Sequence, residues 1–154
     1  PLGSGDPADW TAFAAALERH GLLAIVSAGN DGRDIDAAPV YPAALASEHI
    51  LTVTSADAFG RLAPGSNWGA RHVDLMAPAE NQPVIDFRGA EGVASGSSYA
   101  VPRVAAMAAR LLAQDPELTA LELRARLLAA AVPSPFEREG LLAAGWIADP
   151  LAFP

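Results

Sequence analysis

The sequence lacks cysteine and lysine altogether, and only 6% of its 154 residues are aromatic. The absence of cysteine excludes disulfides and thiolate metal sites. All ten basic residues are arginine, which we interpret as the codon bias of a GC-rich bacterial genome. The net charge of −8 argues against nucleic acid as a partner, because phosphate binding needs clustered basic residues. No apolar run is long enough to span a bilayer, so no membrane-spanning segment is expected.

What the chain does contain favours one compact domain. Hydrophobic residues make up 51% of it and charged residues only 18%, a balance that argues against disorder. The opening letters PLGS resemble the remnant of a cleaved tag. We therefore interpret residues 1–4 as such a remnant and residues 5–154 as the domain, and we expect the natural N-terminus to be missing.

The predicted elements alternate between helix and buried strand. A helix should begin after Asp6 and Pro7 and end at Gly21, since these residues suit its first turn and its C-terminus. Three apolar runs have the pattern of strands covered on both faces. A hairpin turning near residues 89–92, a helix buried nearly all round and a helix with a capping box should follow. The strands are expected at 22–29, 49–56 and 72–78, the hairpin at 83–96, the buried helix at 101–113 and the capped helix from Thr119 with Glu122.

This order indicates an α/β fold in three layers, with a mostly parallel sheet flanked by helices. Ligands of such sheets bind beyond the carboxyl ends of the strands. Asn30, directly after the first strand, falls at such an end. Ser97 and Ser98 join it if the buried helix runs back beneath the sheet.

Each of these residues has a structural interpretation beside a catalytic one. Ser97 or Ser98 could cap the buried helix, or Ser98 could be a nucleophile at its positive end. Asn30 could belong to a simple turn, since asparagine and glycine favour left-handed backbone, or it could donate to an oxyanion. One class of serine hydrolase is excluded, because the α/β-hydrolases need a histidine after the serine. All three histidines, His20, His49 and His72, precede Ser98.

Five segments, in order, resemble those of the subtilisin-like serine proteases. SGSSYAVPRVAA resembles the nucleophile motif of that family, and IVSAGNDG resembles the strand and loop that carry its oxyanion asparagine. YPAAL resembles a segment that shapes the pocket for a substrate side chain. The remaining segments resemble a core strand with a Ser-Asn-x-Gly turn and the last turn of the domain. In chain order the five segments are 25–32, 41–45, 50–78, 95–106 and 143–153.

The resemblance implies a serine endopeptidase that hydrolyses peptide bonds through an acyl-enzyme intermediate. Ser98 would be the nucleophile and Asn30 the oxyanion donor, beside the backbone N–H of Ser98. No metal ligand or other cofactor is identifiable; calcium remains possible by resemblance, although Asp31, Asp34 and Asp36 form only an acidic loop. The residues expected to bind the substrate polypeptide are Ser27, Ala28, Gly29, Tyr41, Pro42, Gly96 and Ser97.

The same resemblance shows what the chain lacks. Subtilisin-like enzymes place a catalytic Asp and then a His well before the oxyanion asparagine, and neither of their motifs occurs here. An improvised pair, such as Asp57 with His72, is a conceivable substitute, but we do not expect it. We therefore expect the C-terminal part of a catalytic domain, inactive alone, whose exposed apolar sheet edge binds the missing N-terminal half, a second copy or a prodomain.

Two other classes stay open. A pseudoprotease module would use the same half-fold only for protein binding, and an unrelated α/β domain would share none of the chemistry. The resemblance also implies a location outside the cytoplasm, secreted, periplasmic or on the cell surface.

Overall fold

The computed structural model describes residues 3–136 and 140–152. Three helices and six strands follow one another, with a short 3-10 turn at Pro7–Trp10 before the first helix. In chain order the elements are α1 (Thr11–His20), β1 (Ala24–Ser27), β2 (Ile50–Ala56), β3 (Leu75–Pro78), β4 (Gln82–Ile85), β5 (Glu91–Ala94), α2 (Ser97–Gln114), α3 (Ala120–Ala129) and β6 (Gly145–Trp146).

Four strands form one parallel sheet, in the order β1-β2-β3-β6. All seven residues of β2 are buried, as expected for a central strand between two covered faces. The predicted α/β fold, a parallel sheet flanked by helices, is confirmed. The hairpin is also confirmed, because β4 and β5 pair in antiparallel fashion around a turn at 86–90.

Alternate residues of the central strands face two separate apolar clusters. Leu51, Val53 and Leu75 pack with α2 and α3 on one face of the sheet. Ala56 and Met76 pack on the other face, with Trp146 of β6 and loop residues that include Ile35 and Val73. Because α2 and α3 cover only the first face, the second depends on the loops that follow the strands.

The prediction for the first strand is wrong in one respect. Its apolar run predicts a strand covered on both faces, yet all four residues of β1 are only half-buried. The reason is its place in the sheet, where it pairs with β2 alone and forms the edge of the described strands. Such a run suits a central strand, so sequence and position disagree here.

Three smaller differences concern element ends and burial. The helix predicted at 101–113, α2, begins at Ser97 and buries a single face through residues such as Val104, Met107 and Leu111. It is not buried all round, and Leu112 remains 37% exposed. β3 begins at Leu75, so His72 lies in the loop before it. The last segment, expected to be a turn, contains the short strand β6.

The predicted end of the first helix is confirmed, because Gly21 ends α1 with a left-handed φ of 60°. Its predicted start is shifted: Asp6 accepts a hydrogen bond from Ala8 N at 2.8 Å, but it caps the 3-10 turn Pro7–Trp10, and α1 begins at Thr11. The capping box of Thr119 and Glu122 is present at the start of α3. The hydroxyl and the N–H of Thr119 both donate to the Glu122 carboxylate, and these bonds lower its pKa.

Candidate functional site

The site lies where β1 and α2 meet at the carboxyl edge of the sheet. Asn30 follows the end of β1 by three residues, and α2 starts at Ser97. The hydroxyls of Ser27 and Ser97 are 2.6 Å apart, so the end of the strand and the start of the helix touch. The two segments that sequence reasoning singled out are therefore brought together.

Ser97 orients the Asn30 side chain from behind. The N–H of Ser97 donates to Asn30 Oδ1 at 2.8 Å, and its hydroxyl donates to the same oxygen at 3.0 Å. With Oδ1 held by two donors, the amide nitrogen of Asn30 is left on the opposite side as a free donor. Ser97 is fully buried, so its side chain supports Asn30, and its predicted contact with substrate stays a prediction.

Gly96 lies against the same amide. It has a φ of 130°, and a Cβ built there would lie 3.0 Å from Asn30 Oδ1 and 3.2 Å from Nδ2. Sequence reasoning gave this glycine a close approach to substrate, whereas the structure shows a close approach to Asn30. Any side chain at this position would push against the amide.

Ser98 is the second residue of α2, and it does not cap that helix. The N-cap of α2 is Gly96, and no side chain caps the helix. Ser98 is half-buried, and its hydroxyl has no hydrogen-bond partner among the described residues. It lies at the positive end of an 18-residue helix, where negative charge is favoured.

Ser98 and Asn30 line one open cavity of about 400 Å³. Ser27, Gly29 and Tyr41, all predicted to bind substrate, line it as well. Pro42 lines a neighbouring apolar cavity of about 480 Å³, which shares Ser27 and Ser98 with the first. Of the remaining predicted residues, Ala28 is fully buried beneath the loop, and Gly96 lies behind Asn30.

Sequence reasoning missed one wall of this cavity. Ser4 and Tyr41 exchange two backbone hydrogen bonds of 2.9 Å, which bring the start of the chain to the site. Interpreting residues 1–4 as a tag remnant removed this wall from consideration; Pro1 and Leu2 lie outside the described residues, and the interpretation stays a prediction. The residues missed are Gly3, Ser4, Gly5, Asp31, Arg33 and Val40.

None of the three histidines pairs with Ser98. His72 Nδ1 lies 2.8 Å from Asp36 Oδ1, so the improvised pair with Asp57, which was not expected, is not formed. Asp57 instead accepts from the backbone of its own turn and lies 3.6 Å from Arg61. His49 Nδ1 lies 2.8 Å from the carbonyl oxygen of Leu22. His20 ends α1 as predicted.

Asp36 links the loop after Asn30 to the loop before β3. Burial of its carboxylate opposes ionisation, but hydrogen bonds from Arg71 N and from His72 outweigh burial and lower its pKa. Of the acidic residues considered for calcium, Asp36 is thus occupied by Arg71 and His72, and Asp31 lies 3.6 Å from Arg33. Within residues 3–136 and 140–152, no three acidic or histidine side chains form a metal-binding group.

The arrangement can stabilise an oxyanion, but it cannot by itself activate the serine. The helix N-terminus and the free Asn30 amide offer donors near Ser98. A serine hydroxyl also needs an adjacent base, and the described part of the chain places none there.

Comparison with known proteins agrees with this geometry. The sequence profile of the subtilase family matches residues 2–146. Alkaline serine protease ver112 from Corniculantispora psalliotae is 36% identical over 110 residues, which are 71% of this chain and 28% of that protein. That relative is fungal, so the bacterial source stays a prediction.

Solved structures share the fold. A cold-adapted subtilisin-like serine proteinase superposes with a TM-score of 0.79 at 28% identity, over 94% of this chain and 52% of that one. The subtilase cytotoxin SubAB superposes with a TM-score of 0.77 at 24% identity, over 96% of this chain and 53% of that one. The chain thus spans about half the length of these structures and under a third of the curated relative.

Proposed function

The chain belongs to the subtilase family, and on that premise we propose that it is the nucleophile-bearing part of a serine endopeptidase. Ser98 Oγ would attack the scissile carbonyl, and a histidine outside this chain would take its proton. The tetrahedral oxyanion would be held by Asn30 Nδ2 and the Ser98 N–H, at the positive end of α2. Collapse of this intermediate would break the peptide C–N bond, with the histidine giving its proton to the leaving amine, and water would then hydrolyse the acyl-enzyme.

The observation that carries this proposal is the orientation of Asn30. Two donors on Ser97 hold its Oδ1, which leaves its Nδ2 free for an acceptor in the cavity that Asn30 and Ser98 both line. A side chain that served only a turn would not need its oxygen fixed from a separate helix. The arrangement therefore favours an oxyanion donor over a simple turn.

The missing acid and base would come from a segment that precedes this chain. β1 has an unpaired edge among the described strands, although its residues are apolar like those of a central strand. An apolar groove of about 480 Å³ runs beside it, lined by Trp10, Phe13, Ile25 and Val101 among others. We expect the N-terminal half of the catalytic domain to add strands at this edge and to fill the groove; a second copy or a prodomain are the other candidates.

Substrate, cofactor and location follow from the family as expectations. The substrate would be a polypeptide whose side chain enters the cavity bounded by Tyr41 and Gly29. Calcium could bind the full-length protein, but no described residues form a site for it. Location outside the cytoplasm is proposed on the same basis. None of the described helices has the length and apolar character needed to cross a membrane.

A pseudoprotease that only binds proteins is the competing function. Such a protein would bind its partner through the apolar groove and the β1 edge, and this binding would not depend on Ser98.

Peptide hydrolysis by the full-length protein tests the proposal. Ser98→Ala should lower kcat by about 10⁶-fold, a magnitude measured in subtilisin, itself a member of this family, and carried over from that enzyme. Ser95→Ala is the matched control, because Ser95 is exposed and its hydroxyl only accepts from Asn81 N. It should retain nearly full turnover. Equal activity of the Ser98→Ala variant and the wild type would exclude Ser98 as the nucleophile.

A further inference from the structure

Asn67 has a buried side chain whose hydrogen bonds, among the described residues, all go to the loop carrying Asn30. It is fully buried, and its Oδ1 accepts from Asp31 N at 2.9 Å and from Arg33 N at 3.1 Å. Its Nδ2 donates to the carbonyl oxygen of Ala28 at 2.8 Å. Its side chain therefore bonds backbone groups on both sides of Asn30.

The backbone of Asn67 adds to the same link. Its N–H donates to the carbonyl oxygen of Gly29 at 3.1 Å, and its own carbonyl oxygen accepts from Thr54 Oγ1 at 2.6 Å. Thr54 lies on β2, the fully buried central strand. Asn67 thus links the Asn30 loop to the buried central strand of the sheet.

Gly29 is shaped to allow this contact. It has a φ of 99°, and a Cβ built on it would lie 2.5 Å from Asn67 Nδ2. A residue larger than glycine at position 29 would therefore clash with the side chain of Asn67. Residues 28 and 29 reach Asn67 from one side of Asn30, and residues 31 and 33 reach it from the other.

The Asn30 amide consequently has two supports of different kinds. Ser97 fixes the rotation of the side chain through Oδ1, and Asn67 fixes the backbone from which that side chain extends. An oxyanion donor must be in place before the charge develops, and a misplacement of about 1 Å can cost about 10²-fold in rate. Orientation by Ser97 alone would not hold Nδ2 in place if the loop could shift.

We propose that Asn67 is a positioning residue for the oxyanion donor, holding the Asn30 loop so that Asn30 Nδ2 meets the charge developing on the substrate carbonyl. This inference rests on the proposed function. It assigns Asn67 no contact with substrate, and it predicts that the effect of Asn67 on turnover passes through Asn30.

A double-mutant cycle in the full-length protein tests this inference. The variants are Asn30→Ala, Asn67→Ala and the two combined, with kcat expressed per active serine titrated by a fluorophosphonate. Asn30→Ala should lower kcat by about 10²–10³-fold, the range measured in subtilisin and taken from there. Asn67→Ala should lower kcat by at least about tenfold with little change in KM, because the oxyanion forms only in the transition state. The combined variant should be no slower than Asn30→Ala alone.

Two further variants separate positioning from stability. Asn67→Asp has the same shape and keeps the oxygen that accepts from Asp31 N and Arg33 N, but it loses the Nδ2 that donates to Ala28. It should also lower kcat, and it tests the positioning role if Asn67→Ala does not fold. Leu123→Ala removes a buried side chain of α3 from the apolar cluster between the sheet and the helices, and it should lower stability while leaving kcat per titrated serine unchanged.

The outcomes are distinct. Unchanged kcat in both Asn67 variants, or losses that multiply with that of Asn30→Ala, would overturn the positioning role while the protease function stands. A full-length wild type that neither hydrolyses peptide nor reacts with the fluorophosphonate would overturn the proposed function, and this inference with it.

Discussion

At Gly96 the backbone conformation and the close packing of the Asn30 amide both depend on the absence of a Cβ. The φ of 130° lies in the region that L side chains rarely adopt, and Asn30 occupies the space a side chain would need. Motif comparison marks this glycine, but its reason is visible only once Asn30, distant in sequence, is packed against it.

Gly96→Ala should therefore damage the site from within. The added Cβ would meet Asn30 at 3.0 Å, and the strained backbone should cost about 1–3 kcal/mol of folding free energy. We expect kcat to fall in the full-length protein together with the unfolding midpoint in urea. Gly92→Ala is the control, because its Cβ would find only Val84 at 4.0 Å and its φ is unstrained. Equal tolerance of the two substitutions would contradict the role given to Gly96.

Among the elements, α3 is linked by a partly buried ion pair to Asp74, the residue before β3. Arg124 Nη2 lies 2.6 Å from Asp74 Oδ1, and Arg124 Nε donates to the carbonyl oxygen of Ile50. Burial raises the pKa of Asp74, although the Thr52 N–H and Arg124 oppose the change. Ionising this carboxylate in the folded chain therefore costs free energy, and Arg124 offsets part of that cost.

Arg124→Met should destabilise the chain more at pH 7 than at pH 4. The folded pKa of Asp74 lies above its ordinary value of 3.8, so its contribution is fully present below that value and is lost as pH rises. Removing Arg124 raises the folded pKa further and enlarges this loss, to about 2 kcal/mol at pH 7, below the range for fully buried pairs. Urea unfolding at both pH values measures the difference.

Arg126→Met on the same helix is the matched control. Its partner Asp115 is 40% exposed and Arg126 is 47% exposed, so the change should cost under about 1 kcal/mol. Equal losses in the two variants, or a loss for Arg124→Met that does not vary with pH, would contradict the role given to Asp74.

For the whole molecule, the decisive feature is a sheet that stops at β1. The apolar composition of β1 predicts a central strand, and the structure places it at an edge beside an apolar groove. Such a strand is consistent with a chain that spans about half of the related structures. The proposed completion of the domain by an upstream segment would account both for this exposed edge and for the lack of an acid and base beside Ser98 among the described residues.

The sequence predicts the parts of this molecule that local signals determine. The capping box of Thr119, the hairpin turn and the buried run of β2 follow from short-range patterns, and motif order identifies Ser98 and Asn30. Asn67 and the contact of Ser4 with Tyr41 could not be predicted in this way. Both depend on contacts between distant segments, which local patterns do not encode.

Fluorophosphonate labelling, located by mass spectrometry, tests whether this chain carries the nucleophile of a larger catalytic domain. We predict that Ser98 reacts in the full-length protein and does not react in this chain alone, because the proposed activating base would belong to the upstream half. Adding the upstream half to this chain should restore the reaction. A correctly folded full-length protein in which Ser98 stays unlabelled would contradict the nucleophile role and favour the binding module.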